Sequence, residues 1–155
     1  MRLSKRSEVD PFIVMDVMEA AAQAEANGRR IIHMEVGQPG TPAPSCARAA
    51  LSSSMDKGSL GYTVALGLPE LRARIARHYG ESYNVDLAPS RVVITSGSSA
   101  GFLLAFTALF DAADRVAVGS PGYPSYRQIL TALSLIPVDI ETSAADSFQP
   151  VANRL

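Results

Sequence analysis

The sequence predicts an α/β fold with a mostly parallel sheet. Two observations predict it. From Arg91 to Ile140, β-branched runs and apolar helical stretches alternate as strand, helix, strand, helix, strand, an order that implies right-handed crossovers and a sheet covered on both faces. A hydrophobic fraction of 47% with 19% charged residues over 155 residues also supplies enough apolar material for a core.

The elements follow in order. Asp10-Pro11 is a helix start, with Asp able to cap and Pro suited to the first helical position, and Asn27-Gly28 is the matching stop, so a helix is expected from about Pro11 to Ala26. Arg30 to Val36 (RIIHMEV) reads as a short strand running into the Gly- and Pro-rich loop Gly37 to Pro42. Ser45 to Met55 reads as helix and Gly58 to Gly67 as loop. Pro69 opens a helix whose Leu68, Leu71, Ile75 and Tyr79 recur at helical spacing, with Arg72, Arg74 and Arg77 expected on the wet side. Then come strand Arg91–Thr95, turn Ser96–Ser99, helix Ala100–Phe110, strand Arg115–Val118, helix Ser125–Leu133 and strand Ile136–Ile140. Phe148-Gln149-Pro150 reads as the start of another element, five residues before Leu155. A parallel sheet cut there exposes an apolar edge, so the expectation is an incomplete chain.

Charge and cysteine content narrow the function classes. A formal net charge of -1 and a pI near 6.1 give no electrostatic case for nucleic acid or an anionic membrane, and no apolar run approaches membrane-spanning length. The basic start MRLSKR runs into apolar residues interrupted by Asp16 and Glu19, with no cleavage-site pattern, so it does not read as a signal peptide. Cys46 is the only cysteine and reads as a small hydrophobe. Small molecules and protein partners remain, and a cytoplasmic protein without a metal is the expectation.

One loop carries an anion-binding signal. Thr95 to Gly101 (TSGSSAG) lies between a β-branched strand and an apolar helix, where backbone N–H groups and the positive helix end point the same way. Ser98 and Ser99 add hydroxyl donors, and the bland alternative is that Gly and Ser merely make the turn and cap the helix. The loop lacks a GK[ST] ending and the GxGxxG spacing. It does match G-x-S-x-G, which would make Ser99 a hydrolase nucleophile. The general-base His of that fold follows its Ser, whereas His33 and His78 both precede Ser99. The hydrolase and a non-catalytic module are the competing readings.

Four stretches, in order and covering nearly the whole chain, resemble class I/II, fold-type I aminotransferases dependent on pyridoxal 5′-phosphate (PLP). They are VGQPGTPAP (Val36 to Pro44), GYTVALGLPELRARIA (Gly61 to Ala76), ITSGSSAGFLLAF (Ile94 to Phe106) and SPGYPSY (Ser120 to Tyr126). The second is the most specific, since neither capping nor packing demands its whole pattern. The resemblance implies an N-terminal arm, helix and substrate-side loop over 1–44, then over 45–155 the first half of a PLP-binding large domain. It implies Ser98 and Ser99 as phosphate donors, Tyr123 as the platform for the pyridine ring, and the Gly37 backbone near the substrate carboxylate. Tyr62 would reach the phosphate of the neighbouring subunit, which implies a homodimer. The implied reaction is ping-pong transfer of an amino group between an amino acid and a 2-oxo acid.

The chain also departs from the family pattern. PLP chemistry needs a Schiff-base lysine, and only Lys5 and Lys57 are available, neither in the family's S-x-x-K context. Also without a counterpart are the family's N-P-x-N-P-T-G asparagine, the aspartate for the pyridine nitrogen and the arginine for the substrate carboxylate. In relatives these lie beyond the point where this chain stops, so the expectation is an N-terminal piece without catalytic activity of its own.

Overall fold

The computed structural model describes residues 2–58 and 60–152. The elements are α1 (Ile13–Ala26), α2 (Ser45–Lys57), α3 (Pro69–Tyr83), α4 (Ser98–Leu109), β1 (Arg115–Ser120), α5 (Pro124–Ala132) and β2 (Ile136–Glu141), with short 3-10 turns at Lys5–Ser7, Pro89–Arg91 and Ala144–Asp146. Contacts divide them into two units. One runs up to Gly37 and resumes at Gly97, and the other is Gln38–Ser96.

In the first unit β1 and β2 pair in parallel from Arg115↔Ile136 to Ser120↔Glu141, with α5 as the crossover, as the rhythm of the sequence requires. Leu130, Leu135 and Ile140 are buried and form its core. Leu130 is at 0% exposure because α5 turns it inward while an Arg127–Asp139 ion pair ties the helix's outer side to β2. In the second unit α3 packs on the Pro89–Arg91 turn, and Ala76 and Val92 are its buried residues.

Three helices end by the same device. Gly28 (φ +80), Asn84 (φ +54) and Ser134 (φ +64) take left-handed backbone just past α1, α3 and α5. The next N–H reaches back five residues after α1 and α5, from Arg29 to Ala24 O at 3.1 Å and from Leu135 to Leu130 O at 2.9 Å, and six after α3, from Val85 to Tyr79 O at 3.2 Å. The Asn27-Gly28 stop was legible; α1 starts at Ile13, two residues after the expected Pro11, with Phe12 at the cap and no side-chain capping bond.

Two expected strands do not form among the described residues. Arg30–Val36 and Arg91–Thr95 lack a ladder partner, and β-branched residues make a strand only where a neighbour takes up their N–H and C=O groups. Arg91 closes the 3-10 turn, and Val92 onward is extended but unladdered. The apolar stripe of α3 is likewise only partly covered: Leu68, Leu71 and Tyr79 are exposed. Arg74 and Arg77 are on the wet side as expected, but Arg72 is half-buried.

Candidate functional site

The expected anion donors sit at the start of α4. Gly97 (φ +87) is the N-cap, so Ser98 and Ser99 are the first two helical residues and not part of the preceding turn. No side chain caps this helix start, and among the described residues neither serine hydroxyl makes a hydrogen bond. Both serines are exposed. The first-turn N–H groups, the positive helix end and two unengaged hydroxyls are therefore presented together to an anion.

The aromatic turn follows β1 in the same unit. The Ser120 carbonyl accepts from Thr142 N at 2.9 Å and from Thr142 Oγ1 at 3.1 Å, which fixes the strand's end. A Cβ at Gly122 would overlap the Gly119 carbonyl oxygen, so only glycine makes this turn. Tyr123 is then the N-cap of α5, with Pro124 in the first helical position that its fixed φ favours. The Tyr123 ring is 47% exposed and lines a cavity of about 220 Å³ with Ser120, Gly122 and Tyr126.

That ring is not isolated. Tyr123 meets Tyr126 edge-on at 5.3 Å and 77°, and Tyr126 meets Phe102 of α4 edge-on at 4.6 Å and 75°. Phe102 continues to Phe106 at 5.9 Å, and Phe106 to Phe110 at 6.1 Å. The Tyr126 ring thus bridges the helix bearing Ser98 and Ser99 to the Tyr123 turn.

Tyr62, in the second unit, stands fully exposed at 109% in an irregular segment, with no ring contact or hydrogen bond of its side chain among the described residues. The segment around it is nonetheless fixed. Gly67 has φ +98, and a Cβ there would collide with the Ile94 side chain. The Ile94 N–H donates to Leu66 O at 3.1 Å. Arg72 donates from Nε to Val92 O at 2.8 Å and from a terminal nitrogen to Pro89 O at 2.9 Å. The Gly and Arg of GYTVALGLPELR therefore have structural tasks, holding the residues that lead into Ser96-Gly97 in place of a ladder.

Gly37 is exposed, and a Cβ there would meet nothing within 4 Å. The segment before it is tethered by His33, whose Nδ1 lies 2.6 Å from Glu35 Oε1 and whose Nε2 lies 3.0 Å from Glu25 Oε1 on α1. The hydrogen bond to Glu35, reinforced by that to Glu25, raises the His33 pKa; the same bond to His33 lowers that of Glu35. His78 instead lies 3.1 Å from Ser82 Oγ. Among the described residues no histidine bonds Ser99. Lys5 and Lys57 are both exposed.

Sequence reasoning singled out Ser98, Ser99 and Tyr123 as candidates, and the structure adds roles for Tyr126, Phe102, Gly67 and Arg72 that it did not foresee. The signal for the first pair was present: Ser98, Phe102, Phe106 and Phe110 recur every four residues on one helix face, and Tyr126 follows Tyr123 by three.

The arrangement is that of an α/β chain with two exposed serines at one helix start and an exposed tyrosine joined to the same helix through a second tyrosine. Residues 29–155 match the family model for aminotransferase class I and II, and the chain belongs to that family. It is 48% identical over 154 residues to the valine–pyruvate aminotransferase of Mycobacterium tuberculosis, covering 99% of this chain and 40% of that protein. The crystal structure of an aminotransferase from M. tuberculosis superposes with a TM-score of 0.94 at 48% identity, covering 100% of this chain and 40% of that one. The aspartate aminotransferase from Thermotoga maritima superposes with a TM-score of 0.87 at 32% identity, covering 97% and 40%. The chain spans 37–40% of the length of the first curated relatives it matches. Family membership implies PLP as the cofactor.

Proposed function

We propose that this chain supplies the phosphate end and the ring platform of a PLP site in an enzyme that transfers an amino group between an amino acid and a 2-oxo acid. The observation that carries the reading is the pairing in one unit of unengaged Ser98 and Ser99 hydroxyls on α4 with Tyr123, joined to α4 through Tyr126. This donor set fits the cofactor: a dianionic phosphate suits a helix start with hydroxyls, and a flat heteroaromatic ring suits an exposed tyrosine face.

When bound, the cofactor supplies the electron sink for chemistry at the substrate's α-carbon. The chain's own residues do the holding. Ser98, Ser99 and the first-turn N–H groups bind phosphate, and Tyr123 orients the ring. Gly37 offers unhindered backbone to the substrate's carboxylate, and Tyr62, free of its own chain, serves a second subunit's phosphate in a homodimer. The proton-moving lysine has no counterpart among these residues, so the 155 residues bind but do not turn over. A cytoplasmic setting is part of the same proposal.

The test is titration of the chain with pyridoxamine 5′-phosphate, which carries the phosphate and ring but no aldehyde to react with stray amines. Saturable binding is expected, weakened about tenfold or more in the Ser98→Ala, Ser99→Ala double variant. Absence of binding by the unaltered chain overturns the reading. Turnover of an amino acid and a 2-oxo acid with added PLP overturns the assignment of this chain as non-catalytic.

A further inference from the structure

We infer that Tyr126 is a positioning residue for the cofactor: its ring sets where the Tyr123 platform lies relative to the phosphate donors of α4. The inference rests on the phosphate-and-ring reading above and deepens it. Three observations carry it, all within one unit. Tyr126 is half-buried on the first turn of α5 and makes edge-on contact with both Tyr123 (5.3 Å, 77°) and Phe102 (4.6 Å, 75°). Phe102 lies one helical turn after Ser98, so the α4 face that receives the Tyr126 ring is the face on which Ser98 sits. The Tyr126 N–H also donates to Tyr123 O at 3.2 Å, so the two residues are coupled through backbone as well as ring.

The physical reason is geometric. A ligand held at both ends gains from the second contact only if the two protein groups already stand at the separation the ligand spans. Tyr123 sits on a turn and is half-exposed, and among the described residues Tyr126 is the one aromatic ring that meets it. Edge-to-face pairs favour one relative orientation over others, so Tyr126 passes the placement of a rigid helix to an otherwise loose ring. A ligand that uses only the anion donors has no stake in this. Phosphate alone and phosphate joined to a ring should therefore respond differently to loss of the Tyr126 ring.

The experiment measures Kd for pyridoxamine 5′-phosphate and for inorganic phosphate by calorimetry, together with induced circular dichroism in the pyridoxamine absorption band. It uses the whole 155-residue chain unaltered and as Tyr126→Phe, Tyr126→Leu, Phe102→Leu, Tyr123→Ala and Tyr123→Ala with Tyr126→Leu. Tyr126→Leu is expected to raise the pyridoxamine phosphate Kd about fivefold to tenfold and abolish the induced dichroism, with the inorganic phosphate Kd unchanged. Tyr126→Phe keeps the ring and restores both. In the Tyr123→Ala background Tyr126→Leu adds nothing, because its effect passes through Tyr123. Should Tyr126→Leu fail to fold, Phe102→Leu, which removes the other half of the bridge, must show the same split between ligands.

The inference is overturned if Tyr126→Leu binds pyridoxamine phosphate as the unaltered chain does, or if inorganic phosphate weakens in parallel, the mark of general structural loss. It is also overturned if Tyr126→Phe fails as Tyr126→Leu does. Failure of the unaltered chain to bind either ligand overturns the phosphate-and-ring reading itself, a different result from any of these.

Discussion

Two extended regions of this chain look alike in sequence and are held in opposite ways. Arg115–Ser120 and Ile136–Glu141 hold each other by a parallel ladder, so their side chains are free to pack or to build turns. Val92 to Thr95 is β-branched at every position, more so than either strand, yet has no ladder among the described residues, and its placement depends on Arg72, Leu66 O and a glycine that lets Ile94 approach. A ladder spreads its hold over many backbone groups that any sequence supplies. A side-chain clamp concentrates it in named residues, and that specificity is legible as a motif. The difference explains why GYTVALGLPELR is so much more distinctive than either strand.

The largest way to break the second region without touching the first is Gly67→Ala. It forces a side chain into left-handed backbone at φ +98 and into the Ile94 side chain, at an expected cost of about 2 to 3 kcal/mol in denaturant unfolding. A cost under about 0.5 kcal/mol would show that Ile94 yields freely.

Arg72→Met keeps the aliphatic stem but removes two charge-assisted bonds, at an expected cost of about 1 to 2 kcal/mol. Amide exchange sharpens the contrast: the Ile94 N–H should exchange faster in this variant while the β1 and β2 amides keep their rates. Equal acceleration in both regions would show that the clamp and the ladder are one cooperative unit.

The smallest expected effect concerns the other unladdered segment, tethered by His33. The folded pKa of His33 is raised, so its contribution is complete below the ordinary value of 6.5 and is lost as pH climbs through the raised one. The folded pKa of Glu35 is lowered, so its contribution is complete above 4.5 and is lost as pH falls through the lowered one. The tether is therefore strongest between 4.5 and 6.5. The difference in thermal midpoint between the unaltered chain and His33→Gln should peak in that interval and shrink above it. His33 and Glu25 are both about half exposed to water, so the peak is small, and a flat difference would show that the tether adds nothing.

The legible parts of the fold were those decided locally. Asn27-Gly28 and Pro69 each specify a helix end from their own chemistry, and the alternation from Arg115 to Ile140 specifies a parallel pair, whereas α4 starts at Ser98, two residues before the expected Ala100. Ser98 and Ser99 could be named as candidates because a helix start bearing hydroxyls has chemistry independent of its surroundings, whereas Tyr123 was named only through the family resemblance. Arg30–Val36 could not be judged from its residues, because pairing is a property of the neighbour. Arg72 was misplaced for the reverse reason: a charged residue on a helix reads as solvated until a carbonyl 20 residues away claims it.

One small clasp bears on how such a chain can diversify. Before the parallel pair begins, the Ala113 N–H donates to Ser134 O at 2.8 Å and the Ile136 N–H to Asp114 O at 2.8 Å, with Ala113 (φ +73) and Ser134 (φ +64) both in left-handed backbone. Register is thereby set at the entrance to the strands, away from the aromatic turn that follows Ser120. Insertions and substitutions at the far end can then be sampled by descendants without shifting any strand residue to the wrong face of the sheet. Variation in what is recognised is uncoupled, over these residues, from variation in how the sheet is assembled.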